Sequence, residues 1–204
     1  MSFEAFGSLR EPVRRAVYEF VAACPKPVSR NAVVEALGIG RTLAAFHLDK
    51  LVDAGLLEAG YAPRSGGPGA GRPGKLYRRS QVEYAMAVPP RDYRLLADVL
   101  AVAVQDAGVE PAAYAAAREQ GAKLAGGELV GRLAALGYEP ADGADGTVRL
   151  GNCPFRTVAQ AYPPLVCGLN LALLEGLVGD GGHVARLDPG PDGCCVTISK
   201  NNNH

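Results

Sequence analysis

The chain has 204 residues, 48% hydrophobic and 21% charged, with 21 Lys or Arg balanced by 21 Asp or Glu. That length suits one or two domains with cores of their own, and the composition excludes disordered and fibrous classes. The most apolar stretch, 165–178, is interrupted by Asn170 and Glu175 and is shorter than the ~20 residues of a bilayer span; with no basic flank and apolar run at the N-terminus, a cytoplasmic protein without membrane contact is expected.

The first strong pattern is a helix over 11–24, with Val13, Val17, Phe20 and Val21 at helical spacing and Pro12 in its first turn. Pro25 and Pro27 end it. Ser29 can cap a second, short helix whose apolar face is Val33, Val34 and Leu37 and which Gly38 terminates. After a Gly-Ile-Gly turn, a third helix runs from Arg41 to Gly55. Ala44, Leu48, Leu51 and Val52 fall on one side of it; Thr42, Leu43, Phe46 and Lys50 project from the other. Two short helices joined by such a turn form a helix-turn-helix, whose second helix enters the major groove.

Strands are predicted over 56–61 and 75–79, separated by the Gly- and Pro-rich segment 63–74, whose only charges are positive. A loop of that kind between two strands, directly after a helix-turn-helix, reads as the wing of a winged helix rather than a flexible linker, and meets phosphate or the minor groove. Candidate contacts to a double-stranded DNA operator are Ser29 and Arg30, then Arg41, Thr42, Phe46, His47 and Lys50 on the third helix, and Arg64, Arg72 and Lys75 in the wing. Arg41 suits guanine or phosphate, and Phe46 a thymine methyl. His47 lies on the flank of the helix, where a hydrogen-bonded structural histidine competes with a DNA contact. Charge follows the same division: residues 1–94 hold 14 Lys or Arg against 9 Asp or Glu, and the remainder 7 against 12. A basic front half suits an anionic partner.

Two further helices, 89–108 and 111–137, each begin at proline and end at glycine. In the first, Leu95, Leu96, Val99, Leu100, Val102 and Ala103 cover most of the circumference. Such a helix must be buried on several sides, and a partner subunit can do this, so a homodimer is expected; packing on the chain's own DNA-binding domain is the alternative.

The last third alternates again. A hairpin over 138–152, turning at 142–146, is followed at once by Cys153. Pro163 and Pro164 open a helix to about Val178, with Cys167 in its first turn, and a second hairpin joins 183–188 to 194–199. Four of the five cysteines thus sit in the final 52 residues, where a reducing cytoplasm disfavours structural disulfides. There is no C-x-x-C knuckle and no ferredoxin spacing, so spacing alone leaves metal binding and plain core packing both open. On a regular strand Cys194 would share a face with Val196 and Ile198 while Cys195 points the other way; a shared ligand site needs a bulge or the strand's very end. Cys24, alone at the end of the first helix, is a packing residue.

A winged helix carrying "FHLDKLVDAGLL" and "GRPGKLY", followed by "NCPF", "PPLVCGLNLALLEG" and a terminal "GCCVTI", resembles the SufR-type transcriptional regulators of the ArsR/DeoR-like winged-helix group. The resemblance covers nearly the whole chain, its cysteine segments being more specific than its winged helix. It implies a homodimer holding an iron–sulfur cluster, 2Fe-2S or 4Fe-4S, through Cys153, Cys167 and one of Cys194 or Cys195. Cys194 is the better match, with the adjacent cysteine as a fourth ligand or a supporting group. It also implies repression of iron–sulfur assembly genes while the cluster is bound. Zinc or another thiophilic ion is the alternative cofactor, and a pocket for a small apolar ligand the alternative sensor. An enzyme is not expected: a Cys153–His183 nucleophile pair lacks an evident Asn or Asp orienter, and no glycine-rich dinucleotide motif follows a strand. The expected fold is α+β, with a winged helix-turn-helix over 1–88, a helical dimerisation segment over 89–137 and a small cysteine-containing sensor domain over 138–204.

Overall fold

The computed structural model describes residues 2–61, 74–85, 87–143, 146–180, 182–190 and 193–201. The chain is mixed α+β with two small antiparallel sheets, and it divides into two compact units, Met1–Pro90 and Arg91–His204. Among the described residues no helix is long and apolar enough to cross a membrane.

The first unit comprises α1 (Ser2–Ser8), α2 (Pro12–Ala23), β1 (Val28–Ser29), α3 (Arg30–Leu37), α4 (Arg41–Asp53), β2 (Leu57–Tyr61) and β3 (Lys75–Arg79). Local chemistry accounts for the boundaries. The Glu11 carboxylate accepts from the Val13 and Arg14 N–H groups and starts α2, and the prolines after Cys24 prevent its continuation. Ser29 Oγ accepts from the Ala32 N–H at 3.2 Å to cap α3, which ends on Gly38 in the left-handed region at φ 62°. Val17, Val21, Val33, Ala44, Leu48, Leu51 and Leu57 are buried together with Tyr77. At roughly 1.5–3 kcal/mol for each large aliphatic side chain, this cluster is what holds three short helices on the sheet. The sheet order is β1-β3-β2, antiparallel throughout, with Tyr77 opposite both Val28 and Ala59. Helix α1 and strand β1 are additions to the predicted elements; Ala5 carries α1 into the core.

The second unit comprises α5 (Tyr93–Ala107), α6 (Glu110–Lys123), α7 (Leu129–Ala135), β4 (Pro140–Asp142), β5 (Val148–Leu150), α8 (Arg156–Ala161), α9 (Pro163–Val178), β6 (His183–Leu187) and β7 (Val196–Lys200). The single helix predicted over 111–137 is two helices. Gly126 and Gly127 take φ values of 114° and 74° between them, and Glu128 restarts the chain as α7 by accepting from the Val130 and Gly131 N–H groups. The two predicted hairpins are parts of one sheet, ordered β4-β5-β7-β6, in which β7 joins them.

Helices α6 and α9 meet backbone to backbone. A Cβ on Gly121 would strike the Leu173 carbonyl, and one on Gly176 would strike the Arg118 carbonyl. Glycine is therefore the residue that admits this approach. Arg118 spans the same contact, its Nε donating to Glu175 at 3.2 Å. The other side of α9 buries Leu174 and Leu177 with Leu150, Val196 and Ile198. Helix α9 is thus clamped between α6 and the sheet, and α6 belongs to the compact unit that holds the cysteines.

Candidate thiol centre and nucleic-acid interface

Cys153, Cys167, Cys194 and Cys195 reach one place from three segments of the second unit. Backbone hydrogen bonds fix two of these segments. The Cys194 N–H donates to the Leu150 carbonyl at 2.8 Å, the Asn152 N–H to Tyr138 at 3.0 Å, and the Arg156 N–H to the Cys153 carbonyl at 3.0 Å. Gly193 makes the first of these contacts possible: its φ is +87°, and a Cβ there would lie 2.7 Å from the Leu150 oxygen. Cys194 and Cys195 lie just before β7 rather than inside it. Strand alternation therefore does not force their side chains apart, and the strand-end condition required for a shared site is met. Cys167 is the fifth residue of α9, which opens at Pro163.

Cys194 has Cys153 and Cys195 as side-chain neighbours, and Cys195 has Cys167. Cys153 and Cys194 are buried, Cys167 and Cys195 half-buried, and all are free thiols. Asn170 Nδ2 donates to the Cys194 sulfur at 3.0 Å. The neighbouring Cys153 and Cys195 thiols, with the Asn170 donor, hold Cys194 below the usual thiol range. The proximity of Cys194, followed by burial, pushes Cys153 and Cys195 up.

Two residues of this centre were not among the predicted ones. Asn170, 1% exposed, donates from Nδ2 to Cys194 and accepts from the Tyr138 hydroxyl. Burial, then the neighbouring cysteines, raises the Tyr138 phenol, which stays protonated as a donor. The signal for Asn170 lay in the sequence as one of the polar interruptions of the apolar 165–178 run, and Tyr138 carried none.

Four cysteine side chains of the second unit are near neighbours, and Asn170 Nδ2 donates to the sulfur of Cys194. Among the described residues, however, no three His, Cys, Asp or Glu side chains are grouped as ligands of one metal ion.

In the first unit, α4 presents Arg41, Thr42, Phe46 and Lys50 to the surface. Phe46 is 50% exposed and lies over the Arg14 guanidinium at 6.0 Å. His47 does not belong to that surface. It is 4% exposed, with Nδ1 accepting from Arg14 Nε at 3.4 Å and lying 3.5 Å from the Glu11 carboxylate, so its candidacy as a DNA contact is corrected to the structural role. Helix α4 also carries acid that the basic reading passed over. Asp49 pairs with Lys75 at 3.2 Å and Asp53 with Lys50 at 3.8 Å. Ser29 is engaged as the cap of α3, and the Nε of Arg30 is buried without a partner among the described residues. Arg64 and Arg72 lie outside the described residues.

No family model, curated protein or solved structure matches this chain.

Proposed function

We propose that this chain is a transcriptional regulator that binds a double-stranded DNA operator through its first unit and senses through a thiol-ligated iron–sulfur cluster in its second, acting as a homodimer and as a repressor. The observation that carries this reading is the proximity of Cys153, Cys167, Cys194 and Cys195 in the second unit, beside a first unit with the element order α2, α3, α4, β2, β3. The order α2, α3, α4, then the β2–β3 hairpin, with a tight turn from Gly38 to Gly40 between α3 and α4, supports the winged reading of residues 1–88. Exposed Arg41, Thr42, Phe46 and Lys50 supply phosphate and base-edge chemistry on the second helix of the pair.

A cluster supplies a signal because its assembly and loss follow iron and oxidant supply. Cys153, Cys167 and Cys194 would ligate it, with Cys195 as the fourth donor, and the Asn170 N–H would stabilise charge on sulfur.

Anaerobic isolation followed by iron, acid-labile sulfide and zinc analysis tests the cofactor. Iron and sulfide in near-equal amounts, lost in Cys153→Ser and Cys194→Ser but kept in Cys24→Ser, are expected. Selection from random duplexes yields the operator. A protein free of iron and zinc that binds its selected duplex identically in wild type and Cys194→Ser would overturn the reading.

A further inference from the structure

We infer that the cleft between α5, α6, α8 and α9 is a binding site for an uncharged, hydrocarbon-rich small molecule carrying at most one hydrogen-bonding group. The site lies within the second unit; it neither requires a thiol-bound cofactor nor replaces one.

The sequence of α5 makes the space. Ala97, Leu100, Ala101 and Val104 line the cleft, at the spacings of three, four and seven residues that put side chains on one helix face. Two of those four positions are alanine, and α6 adds Ala117. The larger aliphatic residues Leu95, Leu96 and Val99 are exposed and outside the cleft. Short side chains on a face that meets other helices leave a gap where a close-packed interior would be filled. The gap has a volume of about 400 Å³, within the roughly 300–1,000 Å³ of small-molecule pockets.

The walls are fixed in place. Helix α6 is set against α9 by the backbone contacts at Gly121 and Gly176. Helix α8 runs into α9 through Tyr162, whose N–H donates to the Val158 carbonyl and whose carbonyl accepts from the Val166 N–H, both at 3.0 Å. Helix α5 is tied to α6 by the short link of Gly108 and Val109, with the Val109 N–H donating to the Val104 carbonyl at 3.2 Å. The pocket is therefore formed before any ligand arrives.

Chemistry selects the occupant. Among the described residues that wall the cleft none is charged, and Gln120 has the one polar side chain. An ionised group carried inside would lose its hydration and gain no partner, whereas an apolar space of this size accepts apolar guests. Ala101, Leu165 and Val166 are buried and form the floor, while Leu100, Phe155 and Gln120 are exposed at the rim. The apolar body of the ligand thus lies on the floor, and its hydrogen-bonding group meets the Gln120 amide, which offers both donor and acceptor. A second copy of the chain is not the occupant, because a two-fold contact centred here sets cleft against cleft and fills neither. Phe155 lies two residues after Cys153, and Val166 immediately precedes Cys167. A bound guest touches the segments that carry two of the thiols, so it is a second input to the sensor unit; that consequence, unlike the site, rests on the function proposed above.

Fluorescence titration of the full chain, reduced and metal-free, with N-phenylnaphthylamine tests the site. Saturable uptake of one dye per chain is expected. Anilinonaphthalene sulfonate, the same ring framework with a negative charge, should bind at least about 10-fold more weakly. Ala101→Phe fills the cleft from its floor and should weaken uptake at least about 10-fold with unchanged circular dichroism. Val99→Ser, outside the cleft, should leave uptake as in wild type. If Ala101→Phe fails to fold, Ala117→Leu must weaken uptake in the same direction. Absence of saturable uptake, equal binding of the two dyes, or uptake that survives the filling substitution overturns the inference. Loss of uptake in Val99→Ser overturns it too, by assigning the dye to the outer face of α5. Iron and sulfide content is read separately: dye uptake by a chain that never holds iron keeps this site and removes the cofactor, and an iron-loaded chain without uptake does the reverse.

Discussion

Asn170 donates from Nδ2 to the sulfur of Cys194 at 3.0 Å while its Oδ1 accepts from the Tyr138 hydroxyl at 2.6 Å. One buried amide thus ties α9, the turn before β4 and the segment before β7 into a single polar unit inside an apolar core. Replacing it by leucine strands the Tyr138 hydroxyl and removes a donor from Cys194. Asn170→Leu should destabilise the second unit by about 1–3 kcal/mol, with Tyr138→Phe on the same background recovering part of the loss because no orphaned hydroxyl remains. Urea titration of the variants measures both.

The contact of α6 with α9 predicts an asymmetry among glycines. At Gly176 an added Cβ would strike the Arg118 carbonyl and lie 2.9 Å from the Ala122 nitrogen, backbone atoms that cannot turn aside. Gly176→Ala should cost roughly 1–3 kcal/mol or more through enforced separation of the helices. Gly7, within α1, has nothing within 4 Å of an added Cβ, so Gly7→Ala should stabilise the first unit by about 0.5–1 kcal/mol through helix propensity. Opposite shifts in urea midpoint confirm the distinction; equal shifts refute it.

These contrasts explain what could be read in advance. Helix α2, the pair α3 and α4, and the hairpin strands announced themselves through local periodicity, with Ser29, Gly38 and Gly55 as punctuation, because their cues lie within a few residues of one another. The division of 111–137 could also have been read, since consecutive Gly126 and Gly127 followed by Glu128 form a stop and a cap. The union of two hairpins into one sheet could not: the pairing of Val148 with Ile198 spans chain segments that share no local signal. The cysteines were found by composition, but what brings Cys194 to the end of β5 is a long-range bond, from its N–H to the Leu150 carbonyl. Likewise His47 sits at the edge of the helical wheel, and only the positions of Arg14 and Glu11 on α2 decide that it faces inward.

Glu128 supplies a pH test. The Gly131 N–H and then the Val130 N–H hold its carboxyl below the ordinary carboxylate value. A folded pKa below the unfolded one stabilises the cap fully above the unfolded value, and this stabilisation is lost as pH falls through the folded value. Amide exchange at Val130 and Gly131 should therefore accelerate toward acid beyond its intrinsic pH dependence. Glu128→Gln should remove that excess; persistence of the acid limb in the glutamine variant would assign it to another group.

The two neighbouring aromatic rings of α4 should respond in opposite ways. Phe46 is half-exposed and His47 buried, with their centroids 5.2 Å apart. Phe46→Ala should weaken binding to the selected duplex by roughly 1–3 kcal/mol and change stability little, whereas His47→Ala should lower the thermal midpoint by removing the partner of Arg14. Asp49→Asn gives the complementary gain. It releases Lys75 from its 3.2 Å ion pair and removes a negative charge beside the proposed phosphate contacts, so affinity should rise and the logarithmic salt slope steepen by about one. Fluorescence anisotropy at several salt concentrations, paired with thermal melts, reads all three variants. If Phe46→Ala and Asp49→Asn both leave duplex affinity untouched, α4 is not the surface that meets DNA.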